Sequence, residues 1–285
     1  MVGVVDVAVK KYLQPFLKWA GGKRQLLSDI REQAPKDYHT YFEPFVGGGA
    51  VLFDLHPAQA VINDVNEELV NAYTVIRDDV ESLLEDLAKH ENNKAYFYAL
   101  RELDRKSDYT RLSAVERASR LIYLNKTCYN GLFRVNSQGQ FNVPFGDYKK
   151  PNIKNEKTLL AVHEYLLSSN VSVMNTDFAD AVKDAVAGDF VYFDPPYDPV
   201  SDTSSFTGYS LGGFGKMEQI RLKETVDELS RRGCKVMLSN SATQFIKDLY
   251  KDYRQVFVDA KRAINSNAAK RGKIDEILVM NYGPQ

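Results

Sequence analysis

The sequence predicts an α/β fold: a largely parallel sheet with helices on both faces, into which a helical and β-hairpin segment is inserted. Short apolar runs alternate with helical patterns in residues 16–72 and again in residues 156–281. A glycine-rich turn joins the first predicted strand to a helix. Between these two regions helical patterns dominate. We therefore predict one sheet domain made of residues 1–72 and 156–285, and one inserted domain of residues 73–155.

The composition is that of an ordinary soluble globular protein, with 44% hydrophobic and 26% charged residues among 285. The net charge of -1 gives no global indication of nucleic-acid binding, so such a role would depend on local patches. Cys128 and Cys234 are far apart, which argues against a disulfide scaffold or a zinc site. No signal peptide or membrane-spanning pattern is visible. These observations predict a cytoplasmic protein without a metal or a membrane partner.

The strongest local signal is the end of one predicted strand. Phe190–Phe193 is apolar throughout, as in a strand buried within a parallel sheet. Asp194 follows directly, and Pro195 and Pro196 cannot extend a central strand. The Asp194 carboxylate is therefore expected at the carboxyl end of a strand, where open α/β sheets bind ligands. A polar turn that happens to contain two prolines is the alternative.

Two glycine motifs precede this strand. The first, FLKWAGGK at residues 16–23, lies before a helical pattern at 24–33 and predicts a close approach of the backbone to a ligand; a turn with an exposed lysine explains it equally well. The second, EPFVGGG at residues 43–49, joins a strand at 39–43 to a helix at 50–55. The next predicted strand, Ala60–Asn63, ends at Asp64, where an acid can accept hydrogen bonds from ribose hydroxyls. The glycines depart from the dinucleotide fingerprint, which favours a ligand containing adenosine alone.

The middle of the chain has helical patterns at 80–89, 94–103 and 114–124, the last opened by a capping box from Ser113 to Glu116. Gly139 lies between two β-capable runs and predicts a hairpin. Residues 101–150 contain ten basic and five acidic side chains, interleaved with aromatic and amide residues. Such a surface is typical of contacts with phosphates and base edges. A solvated helical face with a structural hairpin is the alternative.

The last stretch returns to alternating helices and strands. Helices are predicted at 156–167, 217–232 and up to residue 250, and strands at 171–174, 235–238, 255–258 and 274–281. The loop at 198–215 is long enough to indicate a lid or binding loop, and its Phe206 and Tyr209 are candidates for stacking on a base. The loop from Lys261 to Lys273 carries five basic residues and no acid, which fits either a phosphate contact or a solvated loop.

Taken in order, FLKWAGGK, EPFVGGG, Asp64, YNGLFR at 129–134 and the DPPY run at 194–197 resemble the Dam family of S-adenosylmethionine-dependent DNA adenine-N6 methyltransferases. The motif order is similar to that of their α group, and the likeness covers residues 14–282. YNGLFR and FNVPFG at 141–146 resemble the recognition hairpin of members that methylate the adenine of GATC in duplex DNA. The resemblance implies a Rossmann-like methyltransferase sheet, S-adenosyl-L-methionine as cofactor and double-stranded DNA as partner. We expect a monomer or a weak dimer.

The resemblance also implies which residues bind the cofactor and which carry the reaction. Trp19, Lys23, Asp64 and Asp194 would line the cofactor site, and Asp177 would lie beside the cofactor adenine. The remaining expected cofactor contacts come from the two glycine motifs: Ala20, Gly21, Gly22, Glu43, Pro44, Phe45, Gly47 and Gly49. The expected catalytic residues are Asp194, Pro195, Pro196 and Tyr197.

For DNA, the resemblance implies that Arg134 reads a guanine and that Tyr129 wedges into the duplex. Helping contacts at neighbouring bases and in the hairpin are expected from Asn130, Leu132, Asn136 and Pro144. Many members carry a basic residue where this chain has Asp147, so a phosphate or base contact is expected to be lost there.

The expected reaction is a direct displacement in which adenine N6 attacks the methyl carbon of a sulfonium. Acceptance of the two amino hydrogens by the Asp194 carboxylate and the Pro195 carbonyl would free the nitrogen lone pair, and the anion would stabilise the charge that develops. Tyr197 would offer a face on which the base stacks. The target atom lies inside a duplex, so the base must be flipped out at a cost of a few kcal/mol.

Other functions use the same corner of such a sheet. Protein glutamine methylases tend to carry Asn, and cytosine-N4 methylases Ser, where this chain has Asp194, so the aspartate favours adenine. The hairpin disfavours an RNA adenine methylase. Intact Asp194 and Tyr197 argue against a non-catalytic DNA-binding regulator. The sequence leaves open whether the enzyme serves restriction-modification, repair or a phage.

Overall fold

The computed structural model describes residues 11–19, 21–200, 213–261 and 273–283. Within these residues the chain forms a sheet of seven strands: β1 Tyr41–Glu43, β2 Ala60–Asn63, β3 Val171–Met174, β4 Phe190–Phe193, β5 Lys235–Ser241, β6 Arg254–Lys261 and β7 Lys273–Met280. Their order across the sheet is β3-β2-β1-β4-β5-β7-β6. The pairs from β3 to β5 are parallel, and β7 is antiparallel to both of its neighbours. The predicted α/β fold with a largely parallel sheet is confirmed.

Helices connect the strands and cover both faces of the sheet. The described ranges contain α1 Leu27–Gln33, α2 Ala50–Leu55, α3 Glu67–Asp78, α4 Val80–Leu87, α5 Lys94–Arg101, α6 Ala114–Thr127, α7 Glu156–Ser168, α8 Phe178–Ala181, α9 Lys216–Arg231 and α10 Gln244–Leu249. Three short 3-10 turns, Glu102–Arg105, Tyr109–Arg111 and Tyr129–Gly131, lie near α5 and α6. The capping box predicted at Ser113 and Glu116 is present at the start of α6.

α3 has no counterpart among the predicted helices. The Asn66 side chain caps it by accepting a hydrogen bond from the Leu69 N–H at 3.0 Å, and Glu67 and Glu68 occupy its first turn. These are ordinary start signals for a helix, because an amide cap and first-turn acids satisfy the free N–H groups and the helix dipole. Leu69 and Tyr73 on its inner face are completely buried.

The core lies on both sides of the sheet, as alternate residues of β4 show. Phe190 and Tyr192 belong to one hydrophobic cluster, whereas Val191 and Phe193 belong to a second cluster on the other face. A strand that is apolar on both faces is the expected result for a sheet covered by helices on both sides. The first cluster continues without a break into α5, α6 and Phe141, so residues 73–155 share this core with the sheet. The division into two domains stays a prediction.

The hairpin predicted around Gly139 consists of two isolated antiparallel bridges, Val135 with Phe141 and Cys128 with Phe145, rather than of continuous strands. No helix among the described residues has the length and apolar character needed to cross a bilayer. The same residues hold no cluster of three His, Cys, Asp or Glu side chains that could bind a metal ion.

Candidate active site

The predicted catalytic and cofactor motifs meet at one edge of the sheet. β1 and β4 are neighbours at the point where the strand order reverses, and their carboxyl ends open into the same crevice. Open α/β sheets bind ligands at such a switch point. Glu43 ends β1, and Asp194 follows β4, so the glycine turn and the DPPY run face each other across this crevice.

The Asp194 carboxylate is held by two side chains. Lys23 Nζ lies 2.7 Å from Asp194 Oδ1, and Ser239 Oγ donates a hydrogen bond to the same oxygen at 2.9 Å. Lys23 also donates to the Gly21 carbonyl at 2.7 Å, which links the first glycine motif to Asp194. Burial raises the pKa of Asp194, and the charge and hydrogen bonds of Lys23 and Ser239 act against that rise. Within the described residues, both side-chain contacts fall on Oδ1, so Oδ2 remains for a substrate amino group.

The turn after Asp194 is fixed by residues that the sequence reasoning did not select. Gln219 Nε2 donates to the Pro196 carbonyl at 2.9 Å, and the Asp198 N–H donates to Asn240 Oδ1 at 2.9 Å. Asn240 in turn donates to Gln219 Oε1 at 3.1 Å. The sequence signal for this support is the polar run Ser239–Asn240–Ser241 at the end of β5. All three residues are buried in the structure.

The Tyr197 ring lies close to the catalytic pair. Lys23 Nζ is 4.5 Å from the centroid of the ring, within the range of a cation–π contact. The Tyr197 hydroxyl donates to Glu276 Oε2 at 2.8 Å. Burial raises the pKa of Tyr197 well above its usual value, so the phenol stays neutral and able to donate this hydrogen bond.

The second glycine motif forms a tight turn that only glycine fits at two positions. Gly47 and Gly49 have positive φ angles of 50° and 75°. A Cβ atom at Gly47 would come within 2.9 Å of the Trp19 ring, and one at Gly49 within 2.6 Å of the Tyr73 hydroxyl. The backbone therefore approaches Trp19 more closely than any side chain would allow.

Asp64 stabilises this turn from the end of β2. Its Oδ2 accepts a hydrogen bond from the Gly47 N–H at 3.1 Å, and its Oδ1 accepts one from the Asn66 N–H at 2.9 Å. Burial raises the pKa of Asp64 to about 6, and the backbone hydrogen bonds limit that rise. The carboxylate is thus placed beside the turn, and its role as an acceptor of ribose hydroxyls stays a prediction.

Glu43 is buried deeper than the other acids of the crevice. Its Oε2 accepts a hydrogen bond from the Tyr41 hydroxyl at 2.9 Å. Burial raises the pKa of Glu43 well above its usual value, and the nearby charge of Asp194 adds to this. Burial therefore disfavours the ionised form of Glu43, and the charge of Lys23 acts against that effect.

An aromatic cluster lies at the start of the glycine turn. The Phe45 ring is 5.4 Å from Phe178 and 5.6 Å from Phe214, measured between centroids. The Arg221 guanidinium lies 4.0 Å from the Phe178 centroid and makes two hydrogen bonds of 2.7 Å to Asp177. Those bonds lower the pKa of Asp177. Phe178, Phe214 and Arg221 were not predicted.

Lys18 and Trp19 join the cofactor motifs to the recognition segment, by which we mean residues 125–146. The Trp19 ring stacks on Phe133 with centroids 4.7 Å apart. Asn125 is only 1% exposed; it accepts from the Lys18 N–H at 2.9 Å and donates to the carbonyls of Lys18 and Gly131 at 2.8 and 3.1 Å. The two predicted sites are therefore in direct contact.

The predicted DNA-contacting residues differ in how they are presented. Tyr129 is 55% exposed, Asn130 beside it has a positive φ of 58°, and Pro144 and Arg134 are also exposed. Leu132 is half-buried. Asn136 is occupied inside the hairpin, because its side chain bonds Gln138 and Gln140. Asp147, where a basic residue was expected, is exposed with a φ of 52°.

The basic excess of residues 101–150 is smaller in practice than in the sequence. Four arginines form ion pairs within the chain: Arg101, Arg105, Arg117 and Arg120. Lys126 differs, because burial together with the charges of Lys18 and Arg24 lowers its pKa to about 8. Lys18, Arg24 and Lys126 thus form a cluster of like charges next to the recognition segment. Ala20, the stacking candidates Phe206 and Tyr209, and the basic loop after Lys261 lie outside the described residues.

Comparison with known proteins identifies the family. Residues 19–264 match the family described as D12 class N6 adenine-specific DNA methyltransferase, and the chain belongs to that family. It is 48% identical over 273 residues to the type II methyltransferase M1.LlaDCHI of Lactococcus lactis, covering 95% of this chain and 96% of that protein. It is 43% identical over 290 residues to the type II methyltransferase M.MjaIII of Methanocaldococcus jannaschii, covering 95% of this chain and 99% of that protein. It is 36% identical over 273 residues to the DNA adenine methylase of Escherichia coli K12, covering 94% of this chain and 95% of that protein.

The family, the α/β fold and the activity predicted from the sequence are confirmed: this chain is an adenine-specific DNA methyltransferase. DNA is its substrate, and enzymes that transfer methyl groups in this way use S-adenosylmethionine in general. The roles of individual residues remain predictions.

Proposed function

We propose that this enzyme transfers a methyl group from S-adenosyl-L-methionine to N6 of an adenine flipped out of duplex DNA, within the sequence GATC. The observation that carries the proposal is the Asp194 carboxylate at the switch-point crevice, with Oδ1 secured by Lys23 and Ser239. Oδ2 and the Pro195 carbonyl are the acceptors for the two amino hydrogens. An anion fixed in advance stabilises positive charge on N6 without reorganising at the moment of reaction.

The donor set around the crevice fits S-adenosylmethionine, which supplies an electrophilic methyl group when bound. Asp64 would accept the ribose hydroxyls, and the aromatic cluster of Phe45, Phe178 and Phe214 would pack against the adenine ring. The sulfonium and ammonium groups bring positive charge to the crevice, which favours ionised Glu43 and Asp194. Asp177 contributes by holding Arg221 over Phe178.

Residues 73–155 would serve as the target-recognition domain. Arg134 reads a guanine with its forked guanidinium, as arginine does at the O6 and N7 edge. Exposed Tyr129 lies next to Asn130 on a turn that Asn125 fixes, which suits a wedge into the duplex. Lys18, Arg24 and Lys126 would contact the phosphate backbone, where neutralisation relieves their mutual repulsion. The enzyme acts as a monomer or a weak dimer.

The test is transfer of tritiated methyl groups to plasmid DNA from a methylation-deficient host, followed by sequencing of the methylated adenines. We expect incorporation that requires S-adenosylmethionine and is confined to GATC. Methylation of adenines in another sequence would overturn the GATC assignment, and no incorporation would overturn the proposed reaction.

We further infer a restriction-modification role, because two of the relatives are named type II methyltransferases. Methylation by this chain would then block cleavage of the plasmid by a nuclease that cuts unmethylated GATC. Complete digestion after full methylation would contradict this role.

A further inference from the structure

The largely buried carboxylate of Asp104 fixes the backbone of the recognition segment. The N–H of Phe141 donates to Asp104 Oδ2 at 2.8 Å, and the Phe141 carbonyl accepts from Arg105 Nη2 at 2.8 Å. Asp104 and Arg105 both belong to the 3-10 turn Glu102–Arg105. Two side chains of one turn therefore fix both backbone groups of a single hairpin residue.

Asp104 is itself fixed by two guanidinium groups. Arg120 Nη2 lies 2.9 Å from its Oδ2, and Arg105 Nη1 lies 2.6 Å from its Oδ1. Arg120 is 5% exposed and also donates to the carbonyls of Leu100 and Arg101, each at 2.8 Å. Removing the negative charge would leave the buried Arg120 and the half-buried Arg105 without their shared partner, which is costly inside a protein. The hairpin is thereby connected to the core helix α6.

Further backbone contacts connect Phe141 to Arg134 on the exposed side of the hairpin. Phe141 forms a bridge with Val135, and the N–H of the next residue, Asn142, donates to the Arg134 carbonyl at 3.0 Å. The Asn142 side chain accepts a hydrogen bond from Arg134 Nε at 2.8 Å. The backbone and the guanidinium of Arg134 are thus both held by the strand that Asp104 positions.

We propose that Asp104 is a positioning residue for base discrimination, which acts through Phe141 and Asn142 on Arg134. The proposal rests on the proposed reading of a guanine by Arg134. A bidentate contact tolerates displacements of only about half an ångström before its geometry is lost. Loosening the hairpin therefore weakens the distinction between bases more than it affects the distant Asp194.

The experiment compares Asp104→Asn with wild type on a cognate duplex and on duplexes in which one guanine is replaced. Asn keeps the size and one acceptor but removes the charge between Arg105 and Arg120. We expect the ratio of kcat/KM values at the guanine read by Arg134 to fall by about tenfold. We also expect kcat on saturating cognate DNA, and cofactor affinity, to stay within about twofold.

Glu102→Gln is the matched control. Glu102 lies in the same turn and pairs with Arg101 and Arg105 at 3.1 Å, but the hydrogen bonds of the Phe141 backbone go to Asp104 and Arg105 and not to Glu102. Discrimination by this variant should equal that of wild type. A uniform loss of kcat on every duplex by Asp104→Asn, accompanied by a lower melting temperature, would show a purely structural role and overturn the proposal.

The double variant Asp104→Asn, Arg134→Ala tests whether Asp104 affects base discrimination through Arg134. Because both residues act on one contact, it should discriminate no worse than Arg134→Ala alone. Additive losses, or wild-type discrimination by Asp104→Asn, would overturn the positioning role while leaving the reading by Arg134 intact. Wild-type discrimination by Arg134→Ala would instead remove the guanine reading itself, and with it the route proposed for Asp104.

Discussion

In the corner around Asp194, made of Lys23, Asp194, Tyr197 and Ser239, the side chains are buried or half-buried: Lys23 is 6% exposed and Asp194 is 17% exposed. In the recognition segment the side chains proposed to read bases, such as Arg134, are exposed, and the buried Asn125 and the half-buried Asp104 fix the backbone behind them. A carboxylate that stabilises developing charge gains from exclusion of water. A residue that reads bases must reach solvent, so its geometry has to be supplied through the backbone.

The two regions also differ in the sign of the charged groups that burial destabilises. Burial raises the pKa values of the acids in the crevice, including Glu43, Asp64 and Asp194. Next to the recognition segment, burial and neighbouring cations lower the pKa of Lys126. Burial in each region therefore disfavours the charged form of these groups relative to water, and a partner of the opposite charge would offset that cost. We expect the two regions to fail at opposite ends of the pH range.

The largest effect should follow removal of the catalytic anion. Asp194→Ala removes an acceptor of the adenine amino group, and we expect tritium transfer to fall by at least about 10³-fold, while DNA binding measured by mobility shift persists. Asp180→Ala, an exposed acid on α8, is the control and should retain activity. Wild-type turnover by Asp194→Ala would show that the Asp194 carboxylate is not needed for methyl transfer.

In the recognition segment, loss of one reading side chain should relax selectivity rather than stop the reaction. Arg134→Ala removes a bidentate contact, so discrimination at one guanine should weaken by roughly 1–3 kcal/mol. Competition between duplexes with single-base replacements measures this. An unchanged sequence preference would count against the reading role of Arg134.

Cofactor binding should weaken on the acid side. Ribose hydroxyls bind the ionised Asp64, whose pKa in the free protein is about 6. Affinity should therefore be constant above that pH and fall below it by up to about tenfold per pH unit. Calorimetric titration from pH 5 to pH 8 measures the change. Asp64→Asn should bind more weakly with a flatter profile, and an equal slope in the variant would assign the titration to another group.

DNA binding should weaken on the alkaline side. Phosphate pairs with charged Lys126, whose pKa in the free protein is about 8, so affinity should decline above that pH by less than about tenfold per pH unit. Fluorescence anisotropy at constant salt measures it. Lys126→Arg keeps its charge and should abolish the alkaline loss. A decline of the same size in that variant would contradict the assignment to Lys126.

The sequence was most informative where local pattern determines structure. β2, β3 and β4 were predicted with their observed bounds, because apolar runs bounded by polar or proline residues determine where a strand ends. Asp194 and Asp64 were found for the same reason, since each directly follows a strand. The glycine turn was found because glycine readily adopts positive φ angles, so a run of glycines indicates a tight turn.

The remainder depends on contacts between distant parts of the chain. Ser239 is 45 residues from Asp194, and Arg221 is 44 residues from Asp177, so neither pairing can be read from a single sequence. The basic excess was overestimated for a similar reason, because Arg117 is paired with Glu67 and Glu68 on α3. Charge counts do not reveal which arginines are already neutralised inside the fold.

Trp19 is the only tryptophan in the chain, and its ring lies between the glycine turn and Phe133. Its emission comes from the junction of the two regions, with no other indole to mask it. Stopped-flow fluorescence on unlabelled protein would therefore time the arrival of each ligand separately and reveal which one binds first.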